Sequence, residues 1–324
     1  MLDHPRPQLN IVVPADHPPM MQGSPHLKRL EPHGRVTLYT DRPQTLDQMV
    51  KRARDADILI NSRSAVTWPA EALRQLPRLR MIVTCSIGTD AIDLNAAAQM
   101  GITVCNLPGR TAPIVAEHAF GLMLAVAKRA AFMTEALKNG QWPRIDNIYL
   151  AGKTLGVVGA GPIGAHMIRL GRAIGMKVVA WTYHPSDERA NALGVRFASL
   201  DELLETADVV SLHVKLTDES RHMVGRRQLA RMKRGALLIN CARGPTVDAN
   251  ALAEALDTGH LAGAGIDVYD QEPPPPDDPL LACQHVVLTP HCADMTPEGV
   301  DRLNAGAVEN IIAFLAGRAE NVVA

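Results

Sequence analysis

The chain has 324 residues, 47% hydrophobic and 21% charged, with a formal net charge of -1. That length accommodates two domains with separate cores, and the composition is that of an ordinary globular protein, not a disordered or fibrous one. The near-neutral balance argues against nucleic acid or an anionic membrane as a main partner. Residues 1–8 hold no apolar core for a secretory signal. The most apolar helix-like stretch, 112–127, contains Glu117 and His118 and falls short of a membrane span. The five cysteines (Cys85, Cys105, Cys241, Cys283, Cys292) lack paired spacing. They read as reduced thiols of a cytoplasmic protein, with neither a disulfide framework nor a metal site.

In chain order, residues 10–13, 58–61, 81–85 and 103–106 are strand-like, and 46–56 and 69–76 have helical spacing, which predicts a small parallel sheet. The scattered His17, His26 and His33 suggest only a polar loop. A long helix is expected over 111–129, with Val115, Ala119, Leu122 and Val126 as its apolar stripe. Gly140 to Pro143 then opens a loop that ends near Gly152. A second sheet follows, with strands expected at 154–158, 177–181, 209–213, 236–240, 263–268 and 286–289. Helices are expected between them at 163–174, 200–205, 227–232 and 249–257, and Ser199 and Glu202 have capping-box spacing. Six such strands make a doubly wound sheet. The basic run from Arg226 to Arg234 reads as a solvated helix face.

The proline run 271–279 can continue neither element. The last helix opens with Thr296 as cap and Pro297 at its first position, and keeps an apolar period to Gly317. A helix so apolar needs a partner surface, and the first domain is the natural one. The expected fold is therefore α/β, with two Rossmann-like doubly wound domains and crossings near residues 105 and 292. A cofactor domain, 105–292, is inserted into a discontinuous substrate domain, 1–104 with 293–324.

Strand 154–158 runs into Gly159-Ala160-Gly161-Pro162-Ile163-Gly164, a dinucleotide-binding turn in its proper context. Gly159 allows the tight turn, Gly161 the approach of a pyrophosphate, and Gly164 close packing of helix on strand. The acidic residue usual at the end of the next strand is replaced by Thr182, with His184 and Arg189 beyond it. A 2′-phosphate would meet no carboxylate there, so the choice between NAD and NADP stays open. Arg243, in Asn240-Cys241-Ala242-Arg243-Gly244, ends a strand where a substrate carboxylate could be paired and its carbonyl polarised. His291, in Thr289-Pro290-His291, ends the last strand, and Glu272 is suited to hold its imidazolium and orient the ring. Asp267, at another strand end, could meet the nicotinamide side.

Together these motifs resemble the D-isomer-specific 2-hydroxyacid dehydrogenases. Ser86-Ile87-Gly88-Thr89-Asp90-Ala91-Ile92-Asp93, Ala116-Glu117-His118, the Gly159–Gly164 turn, residues 240–248, Gly265-Ile266-Asp267-Val268 and Thr289-Pro290-His291 match the pattern in order. The resemblance implies a substrate-binding Arg243, an acid–base His291 with Glu272 as partner, and a loop Ser86, Ile87, Gly88 whose N–H groups hold the carboxylate. It also implies cofactor contacts at Pro162, Ile163, Thr182, Val214, Ala242 and Asp267, a homodimer through the cofactor domains with the Trp142 loop reaching the neighbour, and domain closure. Lys215 stands where the family commonly has proline, and Cys292 follows the catalytic histidine. Asn61, Ser62 and Arg63 could contact a substrate tail, with Arg63 favouring a second anionic group. The implied reaction is hydride transfer between NAD or NADP and a small D-2-hydroxyacid/2-oxoacid pair, glyoxylate- or hydroxypyruvate-like. Alternatives are a formate- or phosphite-type dehydrogenase and a dinucleotide-sensing binding protein.

Overall fold

The structure, a computed structural model, describes residues 8–324, so nearly all of the segment read as lacking a signal sequence lies outside the described residues. The chain divides into two compact units, Met1–Thr111 with Met295–Ala324, and Ala112–Asp294.

In the first unit, β1 (Leu9–Val13), β2 (Gly34–Leu38), β3 (Ile58–Asn61), β4 (Met81–Thr84) and β5 (Thr103–Cys105) form one parallel sheet in the order β2-β1-β3-β4-β5. Buried residues alternate by face, as period-2 geometry dictates. Val12, Leu59, Ile82 and Val104 enter one core; Ile11, Val13, Ile60, Met81 and Val83 enter the other. The helix Pro297–Leu315 seals the second face with Leu303, Ala307, Val308 and Ile311, and Thr296 caps it by accepting from Gly299 N. The chain end then returns to β5, where Val323 N donates to the Val104 carbonyl at 2.8 Å. Two elements depart from the sequence reading. Strand β2 was not expected, because only its glycine is buried and its side chains show no clean alternation. The supposed polar loop around His26 contains a 3-10 helix, Pro25–Leu30, capped by Ser24.

The second unit carries β6 (Thr154–Val158), β7 (Lys177–Trp181), β8 (Arg196–Phe197), β9 (Val209–Leu212), β10 (Ala236–Asn240), β11 (Leu261–Ile266) and β12 (Val286–Leu288). Their order is β12-β11-β10-β9-β6-β7-β8, all parallel, so strand order reverses between β6 and β9. The sheet has seven strands where six were expected, because β8 is a two-residue edge too short to leave a pattern. Strand β11 begins at Leu261 and stops at Ile266, earlier at both ends than the apolar run suggests. The expected helix 111–129 ends at Ala127, and Arg129, at φ 51, turns the chain into a second helix, Ala130–Lys138.

Helix Ala112–Ala127 lies directly on β11. A Cβ on Gly263 would sit 2.7 Å from Val126 Cγ1, and one on Gly265 would sit 3.0 Å from Leu122 Cβ. Residues 126, 122 and 118 of the helix thus track 263, 265 and 267 of the strand. The basic run 226–234, which opens in helix Arg226–Arg231, is paired, Arg231 with Asp201 and Glu205 and, past the helix, Lys233 with Asp208, in largely exposed bridges that add little stability. Among the described residues no helix is long and apolar enough to cross a membrane.

His213, just past β9, has an inward Nδ1 with no hydrogen-bond partner, while Nε2 meets Ser211 Oγ at 2.9 Å. Burial pushes this imidazole down from 6.5 to about 4. The unfolded chain therefore binds a proton that the folded chain refuses between those values. Stability contributed by the neutral ring is complete above pH 6.5 and is lost as pH falls toward 4. Urea unfolding across that window is expected to show a falling midpoint, with a shallower fall in His213→Gln; an equal slope in both proteins would contradict it.

Candidate active site

Pairing puts Val158, Trp181, Leu212, Asn240, Ile266 and Leu288 in one row across the second sheet. Residues just beyond that row share its carboxyl edge, where open parallel sheets bind ligands at the reversal of strand order. Gly159, Thr182, Val214, Ala242, Arg243, Asp267 and His291 all follow the row within three residues.

The three glycines of the turn have three different physical reasons. Gly159 sits at φ 100, and a Cβ there would lie 2.6 Å from the His213 carbonyl oxygen. A Cβ on Gly164, in the helix Pro162–Ala173, would lie 2.0 Å from the Gly159 oxygen. Gly161 has φ -76, which any residue tolerates, and its Cβ would meet nothing within 4 Å. Neither backbone nor packing calls for glycine at 161. The space above it, at a helix amino terminus, fits the phosphates of a dinucleotide. Pro162 occupies the first turn of that helix, Ile163 is half-buried beside it, and Val214 is buried across the reversal point.

Thr182, one residue past β7, receives a 3.4 Å contact from Arg189 Nη1. The same guanidinium donates to the Ala160 carbonyl at 3.1 Å and to the His184 carbonyl. Arg189 belongs to helix Asp187–Leu193, capped by Ser186, and so folds back over the glycine turn. The arginine noted beyond Thr182 in the sequence is thus brought within reach of it by the turn of this helix.

Around Arg243 the backbone is pinned from both sides. Asn240 Nδ2 and Thr246 Oγ1 donate to the Arg243 carbonyl at 3.0 and 2.7 Å, while Ala242 N donates to Asn240 Oδ1 at 3.0 Å. Arg243 Nη1 turns back to the Ala242 carbonyl at 2.7 Å. Glu272 Oε2 meets His291 Nδ1 at 2.6 Å, and Glu272 Oε1 accepts from Tyr269 N at 3.2 Å. Partial burial would raise the Glu272 carboxyl, but the His291 hydrogen bond and charge, with help from Tyr269 N and the Arg243 charge, hold it below its usual 4.5. The contact turns Nδ1 toward the carboxylate and orients the ring. His291 itself stands at φ 49, the left-handed region, where strain at non-glycine residues is tolerated when surroundings enforce it.

Those surroundings centre on Asp267, 1% exposed. Its Oδ1 accepts from Thr289 Oγ1 at 2.6 Å and from Cys292 N at 3.0 Å, and its Oδ2 from Ala293 N at 3.1 Å. His118 Nε2 lies 3.4 Å from Oδ1 and 3.1 Å from Thr289 Oγ1. Burial pushes this carboxyl up, but the bonds from His118, Thr289 and Cys292 N more than offset it, so it lies below the usual 3.8. Both oxygens of Asp267 are thus engaged inside the unit, on residues flanking His291. Tyr269 O–H donates to the Thr289 carbonyl at 3.0 Å, and burial pushes that phenol up to about 12. Sequence reasoning gave no structural part to Thr289 and Tyr269. It gave His118 none beyond a motif match, although the 118, 122, 126 spacing could have indicated it.

The loop Ser86, Ile87, Gly88 belongs to the first unit, directly after β4. Its carbonyls accept from Thr84 Oγ1 and Leu107 N (Ser86), Asn106 Nδ2 (Ile87) and Ser86 Oγ (Gly88), each within 2.9 Å. That sheet reverses between β1 and β3. There the buried Asp16 accepts from Met20, Met21 and Gln22 N–H and from Ser62 Oγ, and Arg63 holds φ 46.

Residues 120–293 match the family model described as D-isomer specific 2-hydroxyacid dehydrogenase, NAD binding domain. The chain is 40% identical over 300 residues to a glyoxylate reductase of Korarchaeum cryptofilum, covering 90% of each. Among solved structures it resembles a D-lactate dehydrogenase of Aquifex aeolicus complexed with NAD and lactic acid, with TM-score 0.84, 30% identity and coverage of 97% and 98%. It also resembles an acyclic imino acid reductase in complex with NADPH and D-Arg, with TM-score 0.89, 26% identity and coverage of 98% and 100%. The chain belongs to the D-isomer-specific 2-hydroxyacid dehydrogenases, NAD(P)-dependent oxidoreductases that move hydride between a nicotinamide and a 2-hydroxyacid/2-oxoacid pair.

Proposed function

We propose that this chain reduces a small 2-oxoacid, glyoxylate or hydroxypyruvate in kind, with Arg243, Glu272 and His291 as its chemical residues. The observation that carries the reading is the 2.6 Å His291–Glu272 contact, with the Arg243 charge acting on the same carboxylate. Relatives named glyoxylate reductase and hydroxypyruvate reductase support the substrate class. Arg243 pairs with the substrate carboxylate and polarises the adjacent carbonyl. The nicotinamide cofactor, held over the Gly159–Gly164 turn with Ile163, Val214 and Ala242 around it, supplies the hydride. His291 holds a proton at Nε2 and passes it to the oxygen that becomes the alcohol, while Glu272 balances the imidazolium and fixes its ring. With its carbonyls occupied, the Ser86–Gly88 loop of 1–104 offers an anion its N–H groups. On this reading the unit that carries this loop and the last helix is the substrate domain and Ala112–Asp294 the cofactor domain; the crossings fall at 111–112 and 294–295, because Cys105 pairs within the first sheet and Ala293 bonds to Asp267.

Steady-state reduction of glyoxylate and hydroxypyruvate tests the assignment. His291→Asn should lower kcat by about 10²–10⁴-fold with KM little changed. Glu272→Gln should lower it by about 10–100-fold. Because Glu272 lies below 4.5, the wild type should keep its pair intact down to that range, losing activity only as the carboxylate protonates. Intact dinucleotide binding without turnover on any oxoacid would favour a sensor instead.

Thr182 in place of an acid, with the Arg189 guanidinium folded to Thr182 and Ala160, favours a cofactor bearing a 2′-phosphate. Titrations should give NADPH a lower Kd than NADH, and Arg189→Ala should remove most of the difference. Gly161→Ala should weaken both by about tenfold or more without moving Tm, since its Cβ meets only open space. Equal binding of the two cofactors to the wild type would end the preference.

We place the protein in the cytoplasm as a homodimer. Trp142 and Tyr149, 73% and 75% exposed on the segment after helix Ala130–Lys138, are large rings that a partner surface would cover. Sedimentation should give a dimer, and Trp142→Ala should raise its dissociation constant; a monomer at micromolar concentration would exclude the arrangement.

A further inference from the structure

We propose that His118, Asp267 and Cys292 form a binding site for a thiophilic divalent cation, Zn2+ in the first instance, whose occupancy halts proton transfer at His291. The second half of this proposal rests on the catalytic reading of His291 above; the first half does not.

One ligand atom from each residue, an imidazole nitrogen, a carboxylate oxygen and the cysteine sulfur, lies within 4.8 Å of the other two. A nitrogen and an oxygen bound to Zn2+ at about 2.0–2.1 Å in tetrahedral geometry stand about 3.3 Å apart. His118 Nε2 and Asp267 Oδ1 stand 3.4 Å apart. The separation that serves their present polar contact also matches one edge of a zinc tetrahedron. The ligands come from three separate elements: His118 from helix Ala112–Ala127, Asp267 from the end of β11, Cys292 from the turn after β12. Close packing of that helix on Gly263 and Gly265 is what brings His118 within reach. Asp267 is buried and the other two are half-buried, so the site is sheltered yet accessible, and water completes a three-ligand shell. Nitrogen, sulfur and one carboxylate oxygen select zinc over magnesium or calcium.

Occupancy and the present hydrogen bonds compete for the same atoms. Thr289 Oγ1 gives its proton to Asp267, so it accepts from His118 Nε2. Metal binding needs Nε2 as a lone pair, which moves the ring proton to Nδ1 and ends the His118–Thr289 bond. The Cys292 thiol loses its proton to solvent as the metal–sulfur bond forms; no electron changes hands. Asp267 Oδ1, which now accepts from Thr289 Oγ1 and Cys292 N, would turn to the metal. The turn that holds His291 at φ 49 would then lose its present anchor.

The test uses full-length, chelator-treated protein titrated with Co2+ alone and followed by absorbance. Four-coordinate visible bands and a thiolate-to-cobalt charge-transfer band are expected, both abolished by Zn2+. Cys292→Ser should lose the charge-transfer band, and His118→Gln should weaken binding by about 10–100-fold. Zn2+ should abolish 2-oxoacid reduction in the wild type, with recovery on adding a chelator. A missing charge-transfer band, or one that survives in Cys292→Ser, overturns the site. Binding with unchanged turnover overturns the switch. Failure of the reductase reading would leave the cobalt spectrum intact, so the two ideas fail separately.

Discussion

A carboxylate that is 1% exposed must be paid for by hydrogen bonds, and in this protein the donors that satisfy it are the backbone and side chains on either side of His291. Asp267 therefore does more than pack. Thr289 before the histidine and the amides of Cys292 and Ala293 after it are tied to one rigid strand end. Between these anchors the histidine is left with a conformation that costs about 1 kcal/mol for a residue with a Cβ. Removing any one donor would leave a buried charge under-satisfied, which costs more than the strain it enforces. The hydrogen bonds to the buried charge thus outweigh the strained φ and maintain it, on a residue whose Nδ1 meets Glu272.

The glycines show how one short pattern encodes unrelated demands. Gly159 answers to backbone conformation, Gly164 to the closeness of helix and strand, and Gly161 to nothing in the protein itself. Only the third lacks a reason inside the chain, and a Cβ there would meet open space. The same closeness recurs at Gly263 and Gly265, where strand β11 gives up side chains so that the helix bearing His118 can approach. Packing economy on one face of the sheet is what assembles the polar cluster at its edge.

Much of this was legible in the sequence because it is written in local signals. Continuous apolar runs marked the buried strands, and the caps Ser199 and Thr296 marked helix starts; both accept the amide three residues on. The order of Arg243, Glu272 and His291 after the glycine turn was also readable, since each follows an apolar segment. Two of the four edge strands, β2 and β8, were not. β2 and β8 are short or half-exposed, and exposure removes the alternation that betrays a strand. Nor was the cluster of His118, Asp267, Thr289 and Cys292, because its members lie far apart in the chain and meet only through strand pairing and helix packing. For Asp267, nothing local says that its oxygens accept from the chain around and after Thr289.

The reversal of strand order between β6 and β9 divides the carboxyl edge of the second sheet into two halves. On one side, β6 and β7 bring the glycine turn, Thr182 and Arg189, the groups suited to the adenosine end of a dinucleotide. On the other, β10, β11 and β12 bring Arg243, Asp267 and His291. The two halves share the β6–β9 contact and little else of the polar network: Arg189 bonds to Thr182, His184 and Ala160, whereas Asp267 bonds to Thr289, Cys292 and Ala293. Substitutions on the β7 side can therefore change which cofactor binds without disturbing the histidine turn. That separation is a physical reason why NAD and NADPH can both appear among structures of this fold. It also explains how Thr182 can replace an acid while the opposite side of the sheet keeps its full set of residues.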